Sequence, residues 1–402
     1  MGVELVAVAV VTLKPGHVQP LWAGHPWVYA QAVARIEGGA VAGDEVDVLD
    51  PEGRFLGRGL YSPRSAILVR LYSRSPATAF DARLLEERLR AALARRQALS
   101  IPSEETTGYR LVHGEGDDLP GLIADRYDRT IAVQFNTIGL KLREALILEV
   151  LSRVTEARSI VDRSSRAAAE LEGFGSTQAL LHGDAVTTLS FRERGLCYQI
   201  PCELTQKTGY YFDQRPLRAR IEQLAQGRRV LDAYSYVGSS AMSAARGGAR
   251  EVVAVDSNAL ALQVGAECAQ LNGLAGTIRF ERAPASDVLK AAGRQGGYDL
   301  VICDPPKLSP TRTAKQRALG AMRRLAAAAS RATAPGGLLA LSSCSAAVSL
   351  SELTRALALG ARDVGLRPVV LERLYQGPDH PVPAAFAEGL YLSTLVAEIR
   401  PA

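Results

Sequence analysis

The chain has 402 residues, 47% hydrophobic and 22% charged, the proportions of a globular protein and too long for one ordinary core, so two or three domains are expected. No uncharged apolar run approaches the ~20 residues that cross a bilayer, which argues against a transmembrane helix. The net charge of +5 and pI near 9.0 suit a phosphate-rich partner, although a genome that favours arginine over lysine gives the same balance.

The apolar start, Met1–Val11, contains Glu4 and lacks a basic leader and a small-residue cleavage site. It reads as a first strand rather than a signal peptide. Residues 1–75 then alternate short β-type runs (Leu5–Leu13, Glu45–Leu49, Ile67–Tyr72) with turns at Lys14-Pro15-Gly16, Gly38-Gly39 and Pro51-Glu52-Gly53, the pattern of a small β-barrel. Residues 76–188 carry a helix at Ala82–Ala98, strands near Tyr109–His113, Leu122–Arg126 and Thr130–Phe135, and a helix from about Leu140 to Thr155. That mixture predicts a central α+β domain.

Residues 189–402 open with hairpin-like runs at Phe191–Gln199 and Cys202–Thr205. After Arg215, helices alternate with strands at Arg229–Ala233, Glu251–Asp256, Thr277–Glu281, Leu300–Asp304, Leu338–Ser342 and Pro368–Leu374. Such repetition predicts a mostly parallel sheet with helices on both faces, a Rossmann-like α/β domain. The fold class is therefore multidomain: β-barrel, α+β, then α/β. Five scattered cysteines without metal spacing suit a reducing cytoplasm better than a disulfide framework.

Parallel sheets bind ligands at the carboxyl ends of their strands. The first α/β strand ends in Asp232-Ala233 and runs into Tyr234-Ser235-Tyr236-Val237-Gly238, followed by a helix stopped at Gly247-Gly248. Gly238 permits close backbone approach to a ligand, and the helix start offers free N–H groups. One glycine stands where a dinucleotide fingerprint has three, so there is little provision for a pyrophosphate. A nicotinamide-dependent oxidoreductase is correspondingly disfavoured. A nucleoside ligand without phosphates, such as S-adenosylmethionine, fits better. Asp256, at the second strand end, is placed to accept from ribose hydroxyls, or else it or Ser257 caps the next helix. Asp287 accepts from the adenine amino group or serves as another cap.

The fourth strand ends Cys303-Asp304-Pro305-Pro306-Lys307. Two prolines stiffen the corner, so Asp304 can orient a planar base; an ordinary turn is the alternative. Cys344 follows the fifth strand, just before a capping box at Ser349-Leu350-Ser351-Glu352. It is either a nucleophile beside Asp304 or a small packing residue. A thiolate adding to carbon 6 of a pyrimidine activates carbon 5 toward a methyl donor. No sequence feature marks the base that removes the carbon 5 proton. Between Asp304 and Glu352 there is no acidic residue, while Lys307, Arg312, Lys315, Arg317, Arg323, Arg324 and Arg331 occur there. Either RNA phosphates pass this run or it is a solvated helix face.

With these motifs in view, the chain resembles the RlmI-type 23S ribosomal RNA cytosine-5 methyltransferases along nearly its whole length. Leu13-Lys14-Pro15-Gly16, Gly24–Tyr29 and Gly59–Pro63 look like that family's N-terminal PUA domain. Arg110–Glu115 and Leu119–Tyr127 look like its central domain, and Thr208–Arg215 like the segment entering its methyltransferase domain. Asp379-His380-Pro381-Val382 and Glu388–Leu392 match its C-terminal motif. The resemblance implies a class I methyltransferase fold that takes S-adenosylmethionine around Gln214, Tyr234–Gly238, Asp256 and Asp287, with Cys344 as nucleophile and ribosomal RNA as partner. Many other RNA cytosine-5 methyltransferases have a second cysteine after the two prolines; here Lys307 holds that position, as in the RlmI type. Two alternatives stay open: methylation of a guanine or adenine nitrogen on the same fold, and a non-catalytic RNA-binding assembly factor. Oligomeric state is also open, a homodimer being one arrangement.

Overall fold

The computed structural model describes residues 8–175, 179–204, 208–307, 315–345 and 347–402. They fall into two compact units. The first lies within Met1–Gly195, Thr205–Tyr210 and Pro378–Gly389; the second within Leu196–Leu204, Tyr211–Gly377 and Leu390–Ala402. No helix among the described residues is long and apolar enough to cross a membrane.

The first unit begins with β1 (Ala9–Leu13), the short helix α1 (Gln19–Trp22), β2 (Trp27–Tyr29), β3 (Val33–Glu37), β4 (Glu45–Leu49), β5 (Phe55–Tyr61) and β6 (Ile67–Ser73). They form a six-stranded sheet in the order β2-β6-β5-β4-β1-β3. Alternate residues such as Val11, Val46, Val48 and Val69 share one apolar core, as period-two patterning requires. Next come α2 (Ala82–Ala98), β7 (Gly108–His113), β8 (Leu122–Tyr127), β9 (Thr130–Phe135), α3 (Ile138–Lys141), α4 (Glu144–Thr155), β10 (Ser159–Asp162), α5 (Arg166–Glu172), β11 (Leu180–Gly183) and β12 (Thr188–Glu193). Strands β7 to β11 make a second sheet in sequential order. Its core joins Leu85 and Leu89 of α2 to Ile147 and Leu151 of α4. The single helix expected from Leu140 to Thr155 is two pieces, α3 and α4.

The motif Asp379-His380-Pro381 is a structural tie of this unit. Arg96 is fully buried and donates to Asp117 Oδ2 (2.7 Å), to the Asp379 carbonyl (2.7 Å) and to the Arg110 carbonyl (2.9 Å). Asp379 Oδ2 accepts from the Arg110 backbone N–H at 3.1 Å. Removing one partner of such a buried pair costs roughly 3–5 kcal/mol, because the other charge is stranded.

The second unit contains β13 (Leu196–Pro201), α6 (Arg215–Leu224), β14 (Arg229–Ala233), α7 (Ser239–Arg246), β15 (Glu251–Asp256), α8 (Ala259–Leu271), β16 (Ile278–Arg282), α9 (Ala285–Arg294), β17 (Tyr298–Cys303), α10 (Lys315–Ala332), β18 (Thr333–Ser343), α11 (Leu350–Arg362), β19 (Leu366–Tyr375) and β20 (Ser393–Pro401). Of the hairpin-like run Cys202–Thr205, the described residues 202–204 form a turn. The seven-stranded sheet runs β16-β15-β14-β17-β18-β20-β19. Five strands are parallel, and β20 lies antiparallel between β18 and β19. β20 was not expected from sequence: its buried run Leu395-Val396-Ala397 is short and follows a long irregular stretch. The capping box before α11 forms as expected, with Ser349 and Glu352 bonded reciprocally.

A Cβ on Gly116 would sit 1.9 Å from the Pro381 carbonyl oxygen, whereas one on Gly276 meets nothing within 4 Å. Gly116→Ala is therefore expected to lower stability by about 1–3 kcal/mol or more, and Gly276→Ala to leave it nearly unchanged. Urea unfolding of the two variants checks this; equal midpoints would contradict it.

Candidate active site

Every residue of the site lies in the second unit. Strand order reverses between β14 and β17, because the connection from β14 leads to β15 on one side and that from β17 leads to β18 on the other. A crevice therefore opens beyond their carboxyl ends.

The loop after β14 is held tightly. Ser235 N–H donates to the Val255 carbonyl (2.9 Å), Tyr236 N–H to Asp256 Oδ2 (2.9 Å) and Gly238 N–H to the Ser235 carbonyl (2.8 Å). These bonds keep Tyr234 at φ +65° and Tyr236 at φ +52°, a left-handed conformation that non-glycine residues adopt at a cost. Gly238 has φ +67°, and a Cβ there would come 2.8 Å from the Phe280 ring. A glycine here also answers a backbone and packing demand of the loop itself. Tyr234 packs against the apolar core of α9, α10 and β17, and burial pushes its phenol up to about 12. Tyr236 is buried and meets Tyr211 edge-on, centroids 5.4 Å apart.

Asp232, passed over in the sequence reading, caps α7 from the strand: its Oδ2 accepts from Ala241 N–H at 3.0 Å. Burial, reinforced by the nearby Asp304 and Asp256 charges, pushes its carboxyl up to about 8. The available signal was an acid inside the apolar run Val230–Ala233. Asp256 is half-buried at the end of β15. Each of its oxygens accepts one backbone N–H, Oδ2 from Tyr236 and Oδ1 from Asn258 at 2.9 Å. Neither it nor Ser257 is the cap of α8; Asn258 is, accepting from Ala261 N–H. Ser257 is exposed. Asp287 is exposed in the first turn of α9, whose N-cap is Pro284, and it pairs weakly with Lys290 at 3.5 Å.

Asp304 leaves β17 half-buried, and Gln214 Nε2 donates to its Oδ2 at 2.8 Å. The same turn of chain is braced by Asp213, whose Oδ2 accepts from the Tyr391 hydroxyl at 2.7 Å. Cys344 is half-buried, and its Sγ lies 3.9 Å from the Pro305 carbonyl oxygen. Tyr211 belongs to this cluster too. Burial raises its phenol above the usual range, and the charges of Asp213, Asp304, Cys344 and Asp256 push the same way. Pro305, Pro306, Lys307, Met322, Cys344 and Ser345 line one cleft. Cys303, by contrast, is sealed in the sheet, where burial drives its thiol far up.

The basic run is only partly available. Lys315 pairs with Glu352 at 2.8 Å, and Arg323 with Asp363. Folding thus supplies acids that the local sequence lacks. Lys307 and Arg317 are exposed and have no ion pair among the described residues; Arg312 lies outside them.

The residues fit a nucleoside cofactor without phosphates. Ser235 Oγ is buried in the β14 loop with no hydrogen-bond partner among the described residues. Asp256, with one N–H on each oxygen, keeps lone pairs for further donors.

Because Asp232 binds its proton more tightly folded than unfolded, the unfolded chain loses it first as pH rises from about 4 toward 8. Stability conferred at this position therefore falls over that window. Asp232→Asn is expected to gain stability relative to the parent between pH 4 and pH 8, measured by urea unfolding. A difference that is flat with pH, or that shrinks, would contradict the assignment.

The model of a PUA-like domain matches residues 11–74, and that of an S-adenosylmethionine-dependent methyltransferase matches residues 110–391. Ribosomal RNA large subunit methyltransferase I of Erwinia tasmaniensis is 34% identical over 390 residues, covering 96% of this chain and 98% of its own length. The protein of the same name from Shewanella denitrificans is 34% identical over 394 residues, covering 97% and 99%. Among solved structures, SMU.776, a methyltransferase complexed with SAH, superposes with a TM-score of 0.84 at 18% identity, covering 97% of this chain and 99% of that one. A methyltransferase from Streptococcus mutans gives 0.79 with the same identity and coverage. The chain therefore belongs to the S-adenosylmethionine-dependent methyltransferase family and, within it, to the family of these ribosomal RNA large subunit methyltransferase I relatives.

Proposed function

We propose that this enzyme methylates carbon 5 of an unpaired cytosine in 23S ribosomal RNA, in the cytoplasm, through a covalent adduct with Cys344. The observation that carries the reading is the position of the Cys344 sulfur, half-buried and 3.9 Å from the carbonyl that directly follows Asp304. The names of the curated relatives and the PUA-like domain support ribosomal RNA as substrate.

Ser235, the Tyr234–Gly238 backbone, Asp256 and Gln214 would hold S-adenosylmethionine, with Asp287 at the adenine end. When bound, the cofactor supplies an electrophilic methyl group. Asp304, fixed by the Gln214 amide, accepts from the exocyclic amine of the cytosine and aligns the ring. The Cys344 thiolate bonds to carbon 6, and the ring electrons move through carbon 5 and carbon 4 onto N3 and the O2 carbonyl. Carbon 5 thereby becomes nucleophilic. After methylation, loss of the carbon 5 proton restores the ring double bond and expels the thiolate. The pyrimidine must be flipped or unpaired to enter. Lys307 and Arg317, unpaired and exposed, suit the adjoining phosphates better than Lys315 does.

Cys344→Ala is expected to lose about a thousandfold or more in methylation of unmodified 23S transcript. Mass spectrometry of digested product should show 5-methylcytidine in the parent reaction only. Methylguanosine or methyladenosine instead, or full activity in the variant, would overturn the reading.

A further inference from the structure

The cleft beside Cys344 contains a buried hydroxyl that no described residue satisfies. Ser345 is 4% exposed, and its Oγ has no hydrogen-bond partner among the described residues. Its backbone is fixed, since the Ser345 carbonyl accepts from Val348 N–H at 3.0 Å. Among the other side chains lining the cleft, Ser343 carries a hydroxyl, but not one that is both sealed and unpartnered. Pro305, Pro306, Ala318, Met322 and Val348 carry no donor, and Lys307 is exposed. Ser345 Oγ alone in that lining is both sealed from water and unpartnered. A buried hydroxyl left in this state costs stability, a cost that a bond to bound substrate would offset.

The proposed chemistry defines that bond. Asp304 accepts hydrogen bonds, so it can read the amine edge of cytosine but cannot donate to O2 while ionised. Addition of the Cys344 sulfur at carbon 6 sends negative charge toward N3 and O2. A donor is needed there, and a hydroxyl one residue from the nucleophile supplies it. We infer that Ser345 is a substrate-binding residue whose hydroxyl donates to the O2 carbonyl of the flipped pyrimidine, strengthening as the adduct forms. Ser345 then selects pyrimidine over purine, which lacks a carbonyl at that place, while Asp304 selects cytosine over uracil. The inference rests on the cysteine-adduct reading.

The test compares the parent enzyme, Ser345→Ala and Cys344→Ala, using unmodified 23S transcript and tritiated S-adenosylmethionine. Removing one donor to developing charge is expected to cost Ser345→Ala about tenfold to a hundredfold in kcat/KM. Calorimetric affinity for S-adenosylmethionine stays unchanged, and the melting temperature stays equal or rises, because an unsatisfied buried hydroxyl has been removed. A lower melting temperature, weakened cofactor binding or parental kcat/KM would each overturn the serine assignment. If Cys344→Ala instead keeps full activity, the adduct reading itself fails. If Cys344→Ala is inactive and Ser345→Ala is parental, only the serine inference falls.

Discussion

Adjacent parallel strands that end within two residues of one another are the constraint on which the site depends. β17 and β18 pair with Cys303 opposite Leu341. Asp304 emerges directly after the first and Cys344 shortly after the second, so register alone brings carboxylate and thiol to one corner. The reversal of strand order between β14 and β17 keeps helices out of the space above. Two prolines then prevent the Asp304 segment from continuing as strand or starting a helix, and Gln214 pins the carboxylate.

Charge is managed on the same edge. Burial raises the cost of ionising Asp232, and the nearby Asp304 and Asp256 charges push the same way. From this position Asp232 braces α7 by accepting from Ala241 N–H. The left-handed tyrosines of the β14 loop show the same economy. Their backbone strain is held by hydrogen bonds to β15, through Val255 and Asp256. A site with strained backbone, a buried carboxyl and unsatisfied serine hydroxyls is less stable than it need be, as sites organised for a ligand commonly are.

Much of this was legible in the chain because it is local. The alternation of helix and strand, the capping box at Ser349, the Asp304-Pro305-Pro306 corner and the single-glycine loop each depend on residues a few positions apart. The failures involve distance or tertiary context. β20 completes the sheet from the far end of the chain, and its few apolar residues carry no periodicity of their own. Glu352 neutralises Lys315 across a fold that no charge count reveals. The packing of Gly238 against Phe280, from another strand, has no local signal in the chain. The role of Asp232 comes from burial and its bond to Ala241, neither of which the local sequence displays.

The covalent route can be trapped. Fluorine at carbon 5 cannot leave as a proton does, so 23S transcript carrying 5-fluorocytosine should stop the reaction after sulfur addition and methyl transfer. Denaturing electrophoresis followed by peptide mass spectrometry should find the RNA fragment attached to the peptide containing Cys344, and no complex with Cys344→Ala. Active enzyme that methylates ordinary transcript yet leaves no adduct at Cys344 on the fluorinated one would contradict the account.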